Sequence, residues 1–181
     1  KNALRTRGKQ NLKIHLKIDT GMHRQGFQEG EAGRIISMLK RAPRPVSLEG
    51  IYTHFAAAKN PAFPAYTEKQ IEAFERTLKV FRAAGLAPLC HAAATSGILL
   101  FPRAHYDMVR IGIGLYGLWP SKEAKNAFGK RVMLAPALSW KTLVGEVKEL
   151  EPGSKVGYDL TETVKRRSQI AVCPVGYWHG Y

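Results

Sequence analysis

The sequence predicts an α/β fold, with parallel strand–helix units over roughly the first two thirds and a β-rich segment after them. Three observations predict it. Short stretches of alternating apolar residues take turns with stretches of helical period as far as Trp119-Pro120. The polar residues of chemical interest, Lys17, Arg24, His54, Ser96 and Arg110, fall at the carboxyl ends of strand candidates, where such folds collect functional side chains. Beyond Pro120 the texture becomes β-like, with no long helix.

The elements follow in order. Leu12 to Ile18 alternates (LKIHLKI) and reads as a strand, and Asp19-Thr20-Gly21 turns the chain. Glu31 to Arg41 reads as a helix, with Ile35, Ile36, Met38 and Leu39 on its apolar side and Pro43 beyond its end. Val46 to Phe55 is a second strand. Tyr66 to Ala84 is the clearest helix, with Ile71, Phe74, Leu78 and Phe81 at helical spacing and Gly85 as its stop. Ala87 to Ala93 and Met108 to Leu115 are strand candidates around a short helix from Ser96 to Leu100. Ser121 to Arg131 reads as a charged connection. Ala137 to Leu150 reads as a strand, and β-like runs continue at Lys155 to Tyr158 and Ser168 to Val175. A domain boundary is placed near Gly129, giving residues 1–128 and 129–181. About four strand–helix units are visible, whereas a closed eight-unit barrel takes about 250 residues. An open doubly wound sheet and a piece of a barrel both fit the pattern.

Composition narrows the function. The chain is 45% hydrophobic and 23% charged, as in folded globular proteins. No apolar run approaches the roughly 20 residues of a membrane span, and the N-terminal stretch lacks a secretory apolar core. The net charge of +14 is scattered at helical surface spacing, without a zinc finger or an RNP-type aromatic pair. A solvated basic surface is therefore expected, with no nucleic-acid partner. Cys90 and Cys173 show no metal-ligand spacing and no paired framework, so buried free thiols and no metal are expected. The chain begins with Lys1 and stops after a strand-like run, and it reads as an internal piece of a longer protein.

The most informative segment is Asp107 to Gly117, DMVRIGIGLYG. It sets Arg110 among apolar residues and follows it with glycines that let the backbone come close to another group. A fixed cation beside a permissive backbone suits an anionic cofactor. A tight strand whose arginine reaches solvent fits the same residues. Similarly, His54 fits a satisfied histidine at a strand end, and Ser96 fits a helix N-cap.

Taken in register, HLKIDTGMHRQGF (His15 to Phe27), GIYTHFAAA (Gly50 to Ala58), HAAATSGILLFP (His91 to Pro102), MVRIGIGLYGLWPS (Met108 to Ser121) and KVGYD (Lys155 to Asp159) resemble the alanine racemase family. PVGYWHGY (Pro174 to Tyr181) looks like a variant of that family's tyrosine-containing strand. The resemblance implies part of a TIM-type (β/α) barrel that binds pyridoxal 5′-phosphate, followed by the start of a β-rich C-terminal domain. It implies a fold-type III enzyme interconverting L- and D-alanine by two bases in the cytoplasm and supplying D-alanine for peptidoglycan.

Residue by residue, the resemblance places Arg110 at the cofactor's pyridine nitrogen with His54 behind it. Guanidinium keeps its proton, so the ring stays a poorer electron sink than it would be beside a carboxylate, which favours racemisation over transamination or decarboxylation. It assigns Ser96 and the backbone at Gly112 and Ile113 to the phosphate, and Arg24 to the substrate carboxylate. It makes Lys17 a candidate for carbamylation. Tyr158 matches the family's tyrosine base, which acts in the partner subunit's site and so implies a homodimer. The cofactor-bearing lysine belongs to a VKANAYGHG-like motif that residues 1–181 do not contain, so the chain alone is expected to be inactive. His23 for the usual glycine, Thr95 for asparagine and Trp178-His179 for Ala-Asp depart from the pattern. A racemase of another small amino acid, such as serine, and a non-catalytic cofactor-binding barrel are the alternatives.

Overall fold

The computed structural model describes residues 11–42 and 45–180. The chain divides into two compact units, Lys1–Ala137 and Leu138–Tyr181.

In the first unit, β1 (Leu12–Asp19), β2 (Phe27–Gln28), α1 (Ala32–Lys40), β3 (Val46–Tyr52), α2 (Ala65–Ala83), β4 (Leu89–Ala94), α3 (Thr95–Leu100), β5 (Met108–Arg110) and α4 (Lys122–Phe128) follow in turn. The strands form one parallel sheet in the order β2-β1-β3-β4-β5. β1, β3, β4 and β5 lie side by side in chain order, and only the two-residue β2, reached from β1 without a helix, lies on the other side of β1. A doubly wound sheet reverses through a helical crossover, so the run from β1 to β5 is that of a barrel segment.

The core lies between this sheet and its helices. The alternation in β1 buries Leu16 and Ile18, which pack with Ile51 of β3, Ile35 and Ile36 of α1, and Ile71, Phe74, Leu78 and Phe81 of α2. α2 ends as its sequence requires. Gly85 takes φ +77, its N–H reaches Arg82 O at 2.9 Å, and the Leu86 N–H reaches Phe81 O at 3.0 Å. These two bonds satisfy carbonyls that the helix end would leave open.

In this unit two expected elements and the expected boundary differ. The expected strand from Met108 to Leu115 stops at Arg110, because Gly112 redirects the backbone into a single 3-10 turn at Ile113–Tyr116. The expected charged connection contains α4, whose Ser121 side chain caps the Ala124 N–H at 3.0 Å while Ala124 is buried. Residues 129–137, expected with the second unit, group with the first. There the Ala137 N–H donates to Tyr116 O at 3.1 Å, and Gly117, at φ +76, lies so close to the Ala135 carbonyl that a Cβ would collide with it.

The second unit is built from antiparallel pairs. β6 (Glu146–Leu150) pairs with β9 (Ser168–Val172), and β7 (Lys155–Val156) pairs with β8 (Glu162–Thr163). The long strand expected from Ala137 contracts to β6, because its partner β9 ends at Val172 and the chain then turns through Cys173–Val175. Cys90 is buried and Cys173 half-buried, and both are free. No described helix is long and apolar enough to cross a membrane.

Candidate functional site

The carboxyl ends of β3, β4 and β5 open onto a cavity of about 500 Å³. His54, Ser96, Arg110, Gly112 and Ile113 all line it, together with Lys59 and Thr95. All five residues expected to hold the cofactor therefore share one space. Among the described residues its lining carries two cations, Lys59 and Arg110, and no carboxylate.

Arg110 closes β5 and turns inward. One guanidinium nitrogen, Nη2, donates to the backbone carbonyls of Thr53 and Ala92, each at 2.9 Å, and lies 3.2 Å from His54 Nδ1. The other, Nη1, lies 2.6 Å from His91 Nδ1. The guanidinium carbon also stands 5.3 Å from the centre of the Tyr52 ring, within cation–π range. A charge held by two backbone carbonyls and two imidazoles has a fixed direction, and a half-buried arginine without such partners would be costly.

Both imidazoles are biased toward the neutral form. Burial lowers the pKa of His54, and the charges of Arg110, Lys17 and Arg24 lower it further. Burial and then Arg110 push His91 down to about 4, with a smaller contribution from His15. Sequence reasoning gave His91 no role. It contacts Arg110 across 19 positions of chain, and a buried histidine carries no periodic signature. Tyr52, stacked on His91 at 4.8 Å and 4°, and His15, 2.9 Å from His91 Nε2, were missed because each meets His91 only across strands, His15 from 76 positions away.

Two further residues shape this rim. Gln70 of α2, 1% exposed, accepts from the Ala56 N–H at 2.9 Å and donates to the His54 carbonyl at 3.2 Å. It thereby ties the helix to the strand end that presents His54. Thr95 accepts the N–H groups of Gly112 and Gly114 at 3.3 and 3.2 Å, and its methyl fills the space that a Cβ on Gly114 would need. Ser96 is the second residue of α3, whose N-cap is Ala94, so capping does not account for its hydroxyl.

Lys17 lies near the end of β1, and Arg24 lies on the loop beyond it. Arg24 lines a separate recess of about 560 Å³ with Asp19, Thr20 and His23. Asp19 organises that loop. Its Oδ1 accepts the N–H groups of Gly21, Met22 and His23 at 2.9–3.0 Å, and its Oδ2 accepts that of Arg24 at 3.1 Å. Tyr158 belongs to the second unit, on a turn after Gly157, and is 96% exposed there. Among the described residues no cluster of His, Cys, Asp and Glu could hold a metal ion.

Comparison with known proteins adds to this geometry. The family model for the alanine racemase N-terminal domain matches residues 1–120, and that for the C-terminal domain matches residues 137–181. An alanine racemase of Symbiobacterium thermophilum is 48% identical over 170 residues, covering 93% of this chain and 44% of that protein. One of Leptospira interrogans is 39% identical over 173 residues, with the same coverages. Among solved structures, alanine racemase of Clostridium difficile superposes with a TM-score of 0.73 at 34% identity, over 93% of this chain and 44% of that one. That of Bacillus anthracis with bound L-Ala-P gives 0.74 at 34% identity, over 94% and 44%. The chain thus spans less than half the length of these relatives. With both domain models matched in order along its length, the chain belongs to the alanine racemase family.

Proposed function

We propose that the full-length protein interconverts L- and D-alanine with pyridoxal 5′-phosphate, in the cytoplasm, supplying D-alanine for peptidoglycan. The observation that carries this reading is the Arg110 assembly, a guanidinium pinned by His91, His54 and two carbonyls at the edge of a cavity that no carboxylate lines among the described residues. The donor set fits that cofactor. An arginine suits an unprotonated ring nitrogen, which accepts, and Ser96 with the Gly112–Ile113 backbone suits a phosphate, which needs donors. When bound, the cofactor supplies the electron sink that makes the Cα–H of an amino acid acidic enough to remove.

The chain's own residues do the rest. Arg110 would face the ring nitrogen of the cofactor without protonating it, and His54, biased toward its neutral form, would support the guanidinium. Arg24 grips the substrate carboxylate through its planar fork of donors, and Lys17, as a carbamate, orients Arg24. Tyr158 moves a proton at Cα on one face, from one protomer of a homodimer into its partner's site. The cofactor-bearing lysine, in a segment outside residues 1–181, serves the other face. Residues 1–128 hold the cofactor, and residues 129–181 supply the tyrosine.

The test is D-alanine formation from L-alanine by the purified full-length protein with its cofactor, read by a coupled D-amino-acid oxidase assay, with L-serine run in parallel. Turnover of alanine, with solvent deuterium entering Cα from one enantiomer only in Tyr158→Phe, is the expected result. Cofactor binding without turnover would leave a binding barrel and overturn the activity. Faster turnover of serine would move the substrate assignment.

A further inference from the structure

We propose that His15 is a positioning residue for Arg110, fixing the tautomer of His91, and that Gly50 is the seat that lets the His15 ring reach it. The proposal concerns a hydrogen-bonded chain with one direction. Arginine offers only donors. With Nη1 of Arg110 2.6 Å from His91 Nδ1, that nitrogen must present its lone pair. The single proton of neutral His91 therefore sits on Nε2. His91 is 4% exposed, so this N–H needs a protein acceptor, and Nδ1 of His15 lies 2.9 Å away. The proton of His15 then sits on its own Nε2. Reversing either link sets two donors against each other.

The backbone is arranged for this contact. β1 and β3 shift register between Ile14 and His15, which brings His15 opposite Gly50. A Cβ on Gly50 would overlap the His15 ring, with Cε1 and Nδ1 its nearest atoms. On the other side, Tyr52 and His91 face each other in the β3–β4 ladder, and their stacked rings hold the His91 plane. Tyr52 also lies beneath the Arg110 guanidinium. Three strands thus set a single orientation for one cation. Burial and the neighbouring guanidinium keep a second proton off His91 down to about pH 4, so the chain keeps its direction at working pH.

The consequence for turnover rests on the proposed reading of Arg110 as the group facing the cofactor ring, whereas the tautomer does not depend on it. The test uses the full-length cofactor-loaded protein labelled with 15N-histidine, in which long-range 1H–15N correlations report which ring nitrogen of His91 carries the proton. The Nε2–H form is expected in the wild type and in His15→Gln, whose amide oxygen still accepts. His15→Lys presents donors only, and is expected to move the His91 proton to Nδ1. It is also expected to lower kcat about tenfold with little change in KM, the usual scale for losing a group that supports a site residue. Gly50→Ala, which displaces the ring, should shift the same signal. An Nδ1–H His91 in the wild type, or identical spectra and rates for the Gln and Lys variants, would overturn the proposal. Should His15→Lys fail to fold, the wild-type and Gly50→Ala spectra decide it. A wild type with the expected spectrum but no alanine turnover supports the relay and overturns the proposed activity instead.

Discussion

Acid should destabilise this protein partly through one buried ring. Burial, then Arg110, then His15 hold His91 at about 4, against 6.5 for an ordinary histidine. The unfolded chain therefore takes up a proton below about pH 6.5 that the folded chain refuses until near pH 4. Between those values the unfolded state binds more protons, so stability falls as pH falls. The full gap corresponds to about 3 kcal/mol, absent as a penalty at neutral pH and complete below about pH 4. The perturbation is His91→Gln, and the assay is urea unfolding of both proteins at pH steps across that window. The variant should start less stable at neutral pH, having lost a ring that packs on Tyr52. It should then lose less on acidification, so that the two curves converge by up to about 3 kcal/mol. Taking the difference cancels the carboxylates that titrate in both proteins. Parallel curves would refute the reasoning, because they would mean that His91 titrates alike folded and unfolded.

Other outcomes follow from the same geometry. Thr95→Val keeps the shape but removes the acceptor of the Gly112 and Gly114 N–H groups, and should weaken cofactor affinity several-fold in fluorescence titration, with about 1–3 kcal/mol of stability lost. Asp19→Asn should loosen the Arg24 loop and raise KM for alanine. In the wild type, burial pushes the Asp19 carboxyl up but four backbone N–H groups outweigh it, so the loop's stabilisation is present above the ordinary carboxylate range and lost as pH falls through the lowered value, measurable by loop hydrogen exchange. Phe74→Ala removes a fully buried ring set edge-on to Tyr106 at 5.4 Å, and should cost about 3–5 kcal/mol in chemical unfolding.

Much of the first unit was legible because burial there is periodic. Leu16 and Ile18 on β1 and Ile71, Phe74, Leu78 and Phe81 on α2 repeat at the spacing of their elements, and the elements form where that spacing says. α4 buries Ala124 alone, so it shows no period, and the signal lay instead in the Ser121 cap. The strand expected over residues 137–150 failed at its N-terminal half because a strand needs a neighbour as well as a pattern, and β9 is only long enough for β6. The candidate site divides in the same way. His54, Ser96, Arg110, Gly112 and Ile113 were found through family motifs, each read within a short stretch of chain. His15, Gln70 and His91 act by contacts between residues 76 or 16 positions apart, which no local reading of one chain contains.

His23 takes φ +51 in the loop that carries Arg24, at a position where the family's usual residue is glycine. The turn is held by Asp19, whose Oδ1 accepts the His23 N–H at 3.0 Å together with those of Gly21 and Met22. The carboxylate acts as the template of the turn. A lineage can therefore exchange the glycine for a bulkier residue at a strain of the order of 1 kcal/mol, and place a new side chain on the rim of the recess beside Arg24. The tolerance for a side chain next to this arginine thus rests on the carboxylate at position 19, which holds the backbone whatever residue stands at 23.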